Sequence, residues 1–256
     1  MDDRTRVIRL LEDTFRNDPR VYALWLEGSD GLGRSDEYSD LDVWFDAADG
    51  DEAAVLDDCA AALQTLHPID LEDRTDNPHP KIFQRGLHLA GTSPFLLLDL
   101  CVQSHSRGAE GCTFVAGDVA EFPQVLFDKA EVVRIIPPPP VDPEAVRAAY
   151  TQCTETFAQR ARVVKYLRRA LFLEAYAYYT KFVCQQLVAL YRLLYTPRHW
   201  EYGLTHFSSH MPAHVREAVE RLYQVQSLAD IERLLPYADE LYARVTAALA
   251  AAYPFL

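Results

Sequence analysis

The 256-residue chain lacks the marks of several large protein classes. No apolar run approaches the roughly 20 residues that a membrane-spanning helix needs. The N-terminal stretch MDDRTRVIRLLEDTF is charged and has no apolar signal-peptide core. Neither a GxSxG nor a Walker pattern is present, so nothing supports α/β-hydrolase or P-loop chemistry. We therefore expect a cytoplasmic protein with no membrane partner.

Cysteine is scarce and scattered. The chain has five cysteines, an odd number, and no CxxC pair. Neither a zinc site nor a disulfide framework is therefore indicated. We expect reduced thiols that are mostly buried as small hydrophobic groups. They are Cys59, Cys101, Cys112, Cys153 and Cys184.

Basic side chains are scarce in the first half of the chain. Residues 1–136 carry 27 acidic and 12 basic side chains, a net charge of −15, whereas residues 137–256 carry a net charge of +2. This imbalance argues against nucleic acid as a partner. It suits a cationic small molecule, which the field of the protein would concentrate. The alternative is that the acidity only promotes solubility.

The change in charge coincides with a change in sequence character at four consecutive prolines, residues 137–140. From residue 144 to residue 195 the chain has no glycine and no proline, and apolar residues recur every three or four positions. We predict an α+β protein with two domains. A small mixed-sheet domain spans residues 1–136, and an all-helical bundle spans residues 141–256.

Periodicity and turn signals predict the elements within each domain. In the first domain they are a helix over 4–16, strands over 21–27 and 41–45, a helix over 51–66, a hairpin of strands 81–90 and 95–103, a polar loop over 104–118 and a last strand over 127–136. In the second they are two long helices between 144 and 195 that break near residues 168 and 169, then helices over 212–225 and 228–251.

The most informative stretch runs from Trp25 to Phe45, WLEGSDGLGRSDEYSDLDVWF. Because residues i and i+2 share one face of a strand, Asp40 and Asp42 should project side by side while Leu41 points into the core. Two carboxylates this close both stay ionised only if a cation lies between them. Mg²⁺ prefers such oxygen ligands, completed by substrate phosphates.

The turn that precedes the acidic pair has the composition of a phosphate site. Gly28 permits a close backbone approach to a ligand, and Ser29 adds a hydroxyl donor. Arg34, in the following loop, is either a ligand for the outer phosphates of a nucleotide or a solvated charge. Ser39 is positioned to orient the acidic strand through a local hydrogen bond.

Gly28-Ser29, ten intervening residues and Asp40-Leu41-Asp42 together resemble the signature of the DNA polymerase beta-like nucleotidyltransferase superfamily. Within it, the stretch is most similar to the bacterial enzymes that adenylylate aminoglycoside and lincosamide antibiotics. The resemblance implies Mg²⁺ at Asp40 and Asp42, an NTP substrate such as ATP, and transfer of AMP or another NMP to a hydroxyl of a small molecule. It also implies a third carboxylate on a later strand.

Asp99 fits the position of that third carboxylate. It stands alone in the apolar run FLLLDLCV, where an unpaired carboxylate is costly. Its role is either metal ligand or general base. Lys181, in the predicted bundle, either extends its ammonium to solvent or reaches the triphosphate.

Two rival functions stay open at this point. One is an antitoxin-like or regulatory protein that adenylylates a protein partner, and the other is a silent nucleotide-binding protein. The acceptor, the nucleotide preference and the choice between monomer and homodimer are also left open.

Overall fold

The computed structural model describes residues 2–74 and 77–256, apart from the side chain of Glu110. The chain divides into two compact units, Met1–Pro139 and Pro140–Leu256. The first unit combines sheets with helices, and the second, described throughout, is built from helices. The predicted α+β class, a mixed sheet followed by a helical region, is confirmed.

A sheet of six strands organises the first unit. The strands of this unit are β1 (Val21–Leu26), β2 (Leu41–Ala47), β3 (Ile69–Asp73), β4 (Ile82–Leu89), β5 (Leu98–Ser104), β6 (Thr113–Val115), β7 (Gln124–Asp128) and β8 (Arg134–Ile136). The order in the large sheet is β3-β4-β5-β2-β1-β7. β2 and β5 run parallel and the other neighbours antiparallel. β6 and β8 pair as a separate parallel sheet.

Two helices, α1 (Asp3–Phe15) and α3 (Glu52–Leu63), share one hydrophobic core with the large sheet. Alternation along β2 decides which side chains enter it, because successive residues point to opposite faces. Leu41 and Phe45 are fully buried there, and the ring of Phe45 lies 5.1 Å from that of Phe15. Asp42 therefore lies on the opposite face of β2. A short helix, α2 (Gly28–Gly31), follows β1.

The prediction of a single strand over residues 127–136 is wrong. The segment forms the end of β7 and all of β8, which belong to different sheets. The cause is the carboxylate of Asp128, which accepts hydrogen bonds from the backbone N–H groups of Ala130, Val132 and Val133. These bonds fold the chain into a turn, with Glu131 at φ +53°.

The prediction of a polar loop over residues 104–118 is wrong in part. Two turns of 3₁₀ helix, His105–Arg107 and Ala109–Cys112, precede β6. Cys112 and Phe114 are buried and pack in a small cluster with Trp25. Apolar contacts on the second face of the sheet therefore impose regular structure on a segment of mostly polar composition.

The second unit is a helical assembly. Its helices are α4 (Pro143–Ala158), α5 (Ala161–Arg168), α6 (Phe172–Tyr179), a π-helical segment (Thr180–Cys184), α7 (Gln185–Tyr195), a 3₁₀ helix (Pro197–Tyr202), α8 (Phe207–His210), α9 (Ala213–Leu222) and α10 (Leu228–Ala252). The predicted break near residue 168 is present, with Ala170 at φ +56°. The prediction of only two helices before residue 195 is wrong, since a further break follows Ala158. No helix among the described residues is long and apolar enough to cross a membrane.

Candidate active site

Two carboxylates lie side by side near the start of the two central strands of the large sheet, β2 and β5. Asp42 is the second residue of β2 and Asp99 the second of β5, and they are direct partners in the parallel ladder. Neighbouring strands are about 4.8 Å apart, and paired residues share a face. Asp40 lies just before β2 and is exposed. The ladder therefore brings together Asp42 and Asp99, and the charge of Asp40 lies close enough to act on Asp42.

Gly28, the first residue of α2, lies next to Asp42 on the side of β1. Because β1 runs antiparallel to β2, the end of β1 meets the start of β2. The backbone N–H of Glu27 donates to the carbonyl oxygen of Asp42 over 3.1 Å. Gly28 has φ +56°, and a Cβ atom there would lie 2.0 Å from Oδ2 of Asp42. Only glycine fits against this carboxylate without displacing it.

The electrostatics of the cluster favour a bound cation or proton. Burial, together with the charges of Asp40, Asp99 and Asp30, raises the pKa of Asp42 to about 6. Burial likewise raises the pKa of Glu27 to about 7, although the indole N–H of Trp25 donates to its carboxylate over 2.8 Å. Positive charge placed among these groups would offset the cost of keeping them ionised.

Ser29 supplies an unused hydrogen-bonding group beside the carboxylates. Its Oγ atom is buried and has no hydrogen-bond partner among the described residues. A buried hydroxyl without a partner costs free energy, so such groups are uncommon in folded proteins. A bound group that accepts a hydrogen bond from this hydroxyl would remove that cost.

Arg4 of α1 connects two chain segments that border the site. Its guanidinium forms an ion pair with the buried carboxylate of Asp30 in α2. It also donates to the carbonyl oxygens of Ser39 and Asp40, the latter over 2.9 Å. One planar cation thus ties the helix that carries Ser29 to the segment that carries the acidic pair.

A relay of side-chain amides holds Asp99 from β4. Nε2 of Gln84 donates to both carboxylate oxygens of Asp99, over 2.9 and 2.8 Å. Nδ2 of Asn77 donates in turn to Oε1 of Gln84 over 3.1 Å. Gly86 is the direct partner of Asp99 in the β4–β5 ladder, so no side chain stands opposite the carboxylate there. The relay fixes the orientation of Asp99 and presents it as an acceptor.

Two of the other predicted site residues, Arg34 and Ser39, direct their side chains to groups other than the three carboxylates. The guanidinium of Arg34 donates to the carbonyl oxygen of Val119 over 2.6 Å. The Ser39 hydroxyl is engaged with Asp36, to whose carboxylate it donates over 3.0 Å. Lys181 belongs to the second unit, where it is exposed with Nζ 5.5 Å from the centre of the Phe182 ring. Roles for these three residues in nucleotide binding stay predictions.

Sequence reasoning missed Glu27, Gln84 and Arg4. Alternation offers a signal for Glu27, because it shares a strand face with Trp25 and directly precedes Gly28. Gln84 is a polar residue in the predicted hairpin, but only the register of β4 against β5 places it beside Asp99. Arg4 is 36 residues from Asp40 in the chain, and no local pattern links them.

A cavity of about 740 Å³ lies beside the segment that precedes β2, and its lining does not include Asp40, Asp42 or Asp99. Arg4, Asp30 and Ser39 line it, together with the aromatic residues Tyr38 and Phe95. The rings of Tyr38 and Phe95 meet edge to face at 5.2 Å. The volume falls within the range of roughly 300–1,000 Å³ that is typical of small-molecule sites.

The donor set fits Mg²⁺ held jointly with a substrate. In the described part of the chain, no group of three or more His, Cys, Asp or Glu side chains is placed to hold a metal ion by itself. Mg²⁺ commonly takes one or two carboxylates and completes its octahedron with phosphate oxygens and water. Asp42 and Asp99 offer hard oxygen atoms of this kind, and Oδ2 of Asp42 lies directly against Gly28.

Comparison with known proteins identifies no family for the chain. No protein-family model matches it, and no curated protein matches it. Among solved structures, a nucleotidyltransferase-like protein from Exiguobacterium sibiricum is 11% identical, with a TM-score of 0.36 over 98% of this chain and 77% of the other. A proposed nucleotidyltransferase from H. pylori is 10% identical, with a TM-score of 0.30 over 96% of this chain and 98% of the other. Likeness this weak carries no weight for function, which depends on the site itself.

Proposed function

We propose that the chain is a nucleotidyltransferase that moves a nucleoside monophosphate from an NTP to a hydroxyl group. One observation carries this proposal. Asp42 and Asp99 are direct partners on parallel strands, beside a glycine whose place no other residue fits and a buried serine hydroxyl without a partner. Phosphoryl transfer uses carboxylates to hold metal ions and hydrogen-bond donors to bind the phosphates, and these residues offer both.

In this proposal each residue has a distinct task. Asp40 and Asp42 would hold Mg²⁺, which when bound would neutralise the charge that develops on the phosphates. The hydroxyl of Ser29 donates to a phosphate oxygen. The oxygen of the acceptor forms a bond to the α-phosphorus as the bond to pyrophosphate breaks, and a carboxylate takes the hydroxyl proton. Asp99, which Gln84 orients, is either that base or a metal ligand.

We further propose ATP as the donor and AMP as the transferred group. The acceptor would be a small molecule, and an aminoglycoside-like antibiotic is the first class to test. The support is the resemblance of the Gly28–Asp42 stretch to antibiotic adenylyltransferases, together with the net charge of −15 in residues 1–136. An acidic protein concentrates polycationic acceptors near its surface.

The test is a transfer assay with purified protein, Mg²⁺, each NTP and a panel of aminoglycosides and lincosamides. Pyrophosphate release and the mass of each acceptor are followed. Asp42→Asn should reduce transfer by at least about 100-fold, because even the indirect supports of metal ligands contribute 10- to 100-fold. Asp13→Asn, an exposed position on α1 outside the site, is the matched control. Equal transfer by Asp42→Asn and the control would overturn the proposal.

A further inference from the structure

The helical unit contains a cavity of its own. Its volume is about 580 Å³, within the range of roughly 300–1,000 Å³ that is typical of ligand sites. Every residue that lines it lies between positions 152 and 223. The wall is formed by Gln152 of α4, Thr180 of the π-helical segment, Gln185 and Val188 of α7, and Trp200 of the 3₁₀ helix.

Carboxamides make up much of the polar lining of the cavity. Gln152 and Gln185 reach the cavity from two different helices and are exposed, so their amides are hydrated, whereas the half-buried amide of Gln186 donates to the carbonyl oxygen of Lys181 over 2.8 Å. Glu201 adds one exposed carboxylate. A carboxamide offers both donors and an acceptor, which matches a hydroxyl group that donates and accepts.

The same lining disfavours anions. Among the described residues that line the cavity, none is lysine, arginine or histidine. A phosphate would therefore enter without a cation to pair with, and Glu201 would repel it. The chemistry of the wall suits a neutral or cationic molecule instead.

Trp200 and Leu204 provide the apolar part of the wall. The indole of Trp200 is half-buried, and its N–H has no partner among the described residues. An aromatic face of this kind packs against the C–H face of a saturated ring while its N–H meets a polar group. A ring with hydroxyl groups at its edge satisfies both surfaces at once.

The chain segment after α7, which forms part of this wall, is anchored by hydrogen bonds from a buried arginine. Arg192, fully buried in α7, donates through Nε to the carbonyl oxygen of Gly203 over 2.6 Å and also to the carbonyl oxygen of Thr205. These bonds fix the segment that carries Trp200 and Glu201. On the opposite wall the π-helical turn begins at Thr180, whose buried Oγ1 has no partner. Single π-helical turns within helices are frequent at functional sites.

From these observations we infer that the helical unit binds a polyhydroxylated ring, neutral or amine-bearing, in this cavity. Gln152 and Gln185 bind its hydroxyl groups, Trp200 packs on its face, and Glu201 pairs with an amine where one is present. The inference does not depend on the proposed transfer reaction, because every lining residue belongs to the second unit.

The test is calorimetric titration of the full chain with three compounds that share a six-membered carbon ring: myo-inositol, 2-deoxystreptamine and inositol hexakisphosphate. We expect saturable binding of the first two and none of the third. The double variant Gln152→Leu/Gln185→Leu should weaken binding about tenfold or more, because two hydrogen bonds are lost. Gln159→Leu, at the end of α4 and outside the cavity, is the matched control.

Two further variants separate the parts of the inference. Glu201→Gln should weaken binding of 2-deoxystreptamine more than that of myo-inositol. Asp42→Asn should bind both compounds as the unaltered protein does, so that a failed transfer assay and a failed binding site are told apart. The inference is overturned if neither compound binds, or if the double glutamine variant binds them unchanged.

Discussion

At the scale of single residues, Gly28 is the position where a substitution should separate catalysis from stability most clearly. Gly28→Ala places a Cβ atom 2.0 Å from Oδ2 of Asp42 and must displace that carboxylate. We expect transfer activity to fall at least about 100-fold, since misplacement of a reacting group by 1 Å can cost that much. The backbone penalty for alanine at φ +56° should be only about 1–2 kcal/mol.

Gly33 offers a matched control for this prediction. It has a similar φ of +65°, but a Cβ atom there would meet nothing within 4 Å. Gly33→Ala should therefore lose a similar amount of stability and keep its activity. Thermal unfolding and initial transfer rates of both variants are the measurements. Equal activity in the two alanine variants would show that contact with Asp42 does not explain the glycine at position 28.

Ser29 should behave unlike an ordinary buried serine. Its hydroxyl has no protein partner, so Ser29→Ala should leave the free energy of unfolding unchanged or raise it by up to about 1 kcal/mol. Affinity for an ATP analogue should fall about tenfold or more, because a hydrogen bond to a charged phosphate is lost. Calorimetry of the complex and chemical denaturation give the two values.

The contrast for Ser29 is Ser104, a buried serine whose hydroxyl donates to the carboxylate of Glu52. Ser104→Ala removes the donor to Oε1 of that buried carboxylate, which keeps only the backbone N–H of Gly50 on Oε2, and should cost about 1–3 kcal/mol of stability. It should not change the affinity for nucleotide. If Ser29→Ala destabilises the fold as Ser104→Ala does and binds nucleotide normally, the hydroxyl of Ser29 is not a phosphate ligand.

At the scale of elements, β4 contributes the side chain of Gln84 to the site. Gln84→Leu removes both hydrogen bonds to Asp99 and frees that carboxylate to rotate. We expect kcat to fall about 10- to 100-fold, as it does when residues that orient metal ligands are lost. KM for the acceptor should change little, because Gln84 acts through Asp99 and not on the substrate.

A double-mutant cycle tests whether Gln84 acts in this way. In an Asp99→Asn background, Gln84→Leu should cost almost nothing further, since the group it orients is already gone. Gln64→Leu, at the exposed end of α3, is the control for glutamine removal. Losses that multiply in the double variant would mean that Gln84 has a task independent of Asp99.

The same strands show what the sequence can and cannot predict. Local alternation and spacing suffice to predict β1, β2 and β5, and the cost of Asp99 in an apolar strand suffices to connect it with Asp42. Register between strands is a tertiary property, so the contact of Gln84 with Asp99 has no local signal. The split of residues 127–136 depends on side-chain bonds from Asp128, which periodicity does not contain. The candidate carboxylates were therefore predictable, whereas most of their supports were not.

At the scale of the whole molecule, the carboxylate cluster should make stability depend on pH. The folded pKa of Glu27 is raised to about 7 and that of Asp42 to about 6, mainly by burial. A raised folded pKa means that the fold favours the protonated form. This contribution is fully present below the unfolded values near pH 4 and is lost as pH rises through 6 and 7. The metal-free protein should thus lose stability between pH 5 and pH 8, and Mg²⁺ with ATP should restore part of it at pH 8.

Glu27→Gln isolates this effect. The glutamine carbonyl still accepts from the indole of Trp25, but it carries no charge to bury. The loss of unfolding free energy between pH 5 and pH 8 should shrink by about 1–3 kcal/mol relative to the unaltered protein. His88, whose pKa is raised by its hydrogen bond to Asp70, also contributes in this window but cancels in the comparison. Chemical denaturation at each pH is the measurement. An identical pH dependence in both proteins would mean that the buried charge of Glu27 is already compensated within the fold, and the case for a cation among these carboxylates would then depend on Asp42 alone.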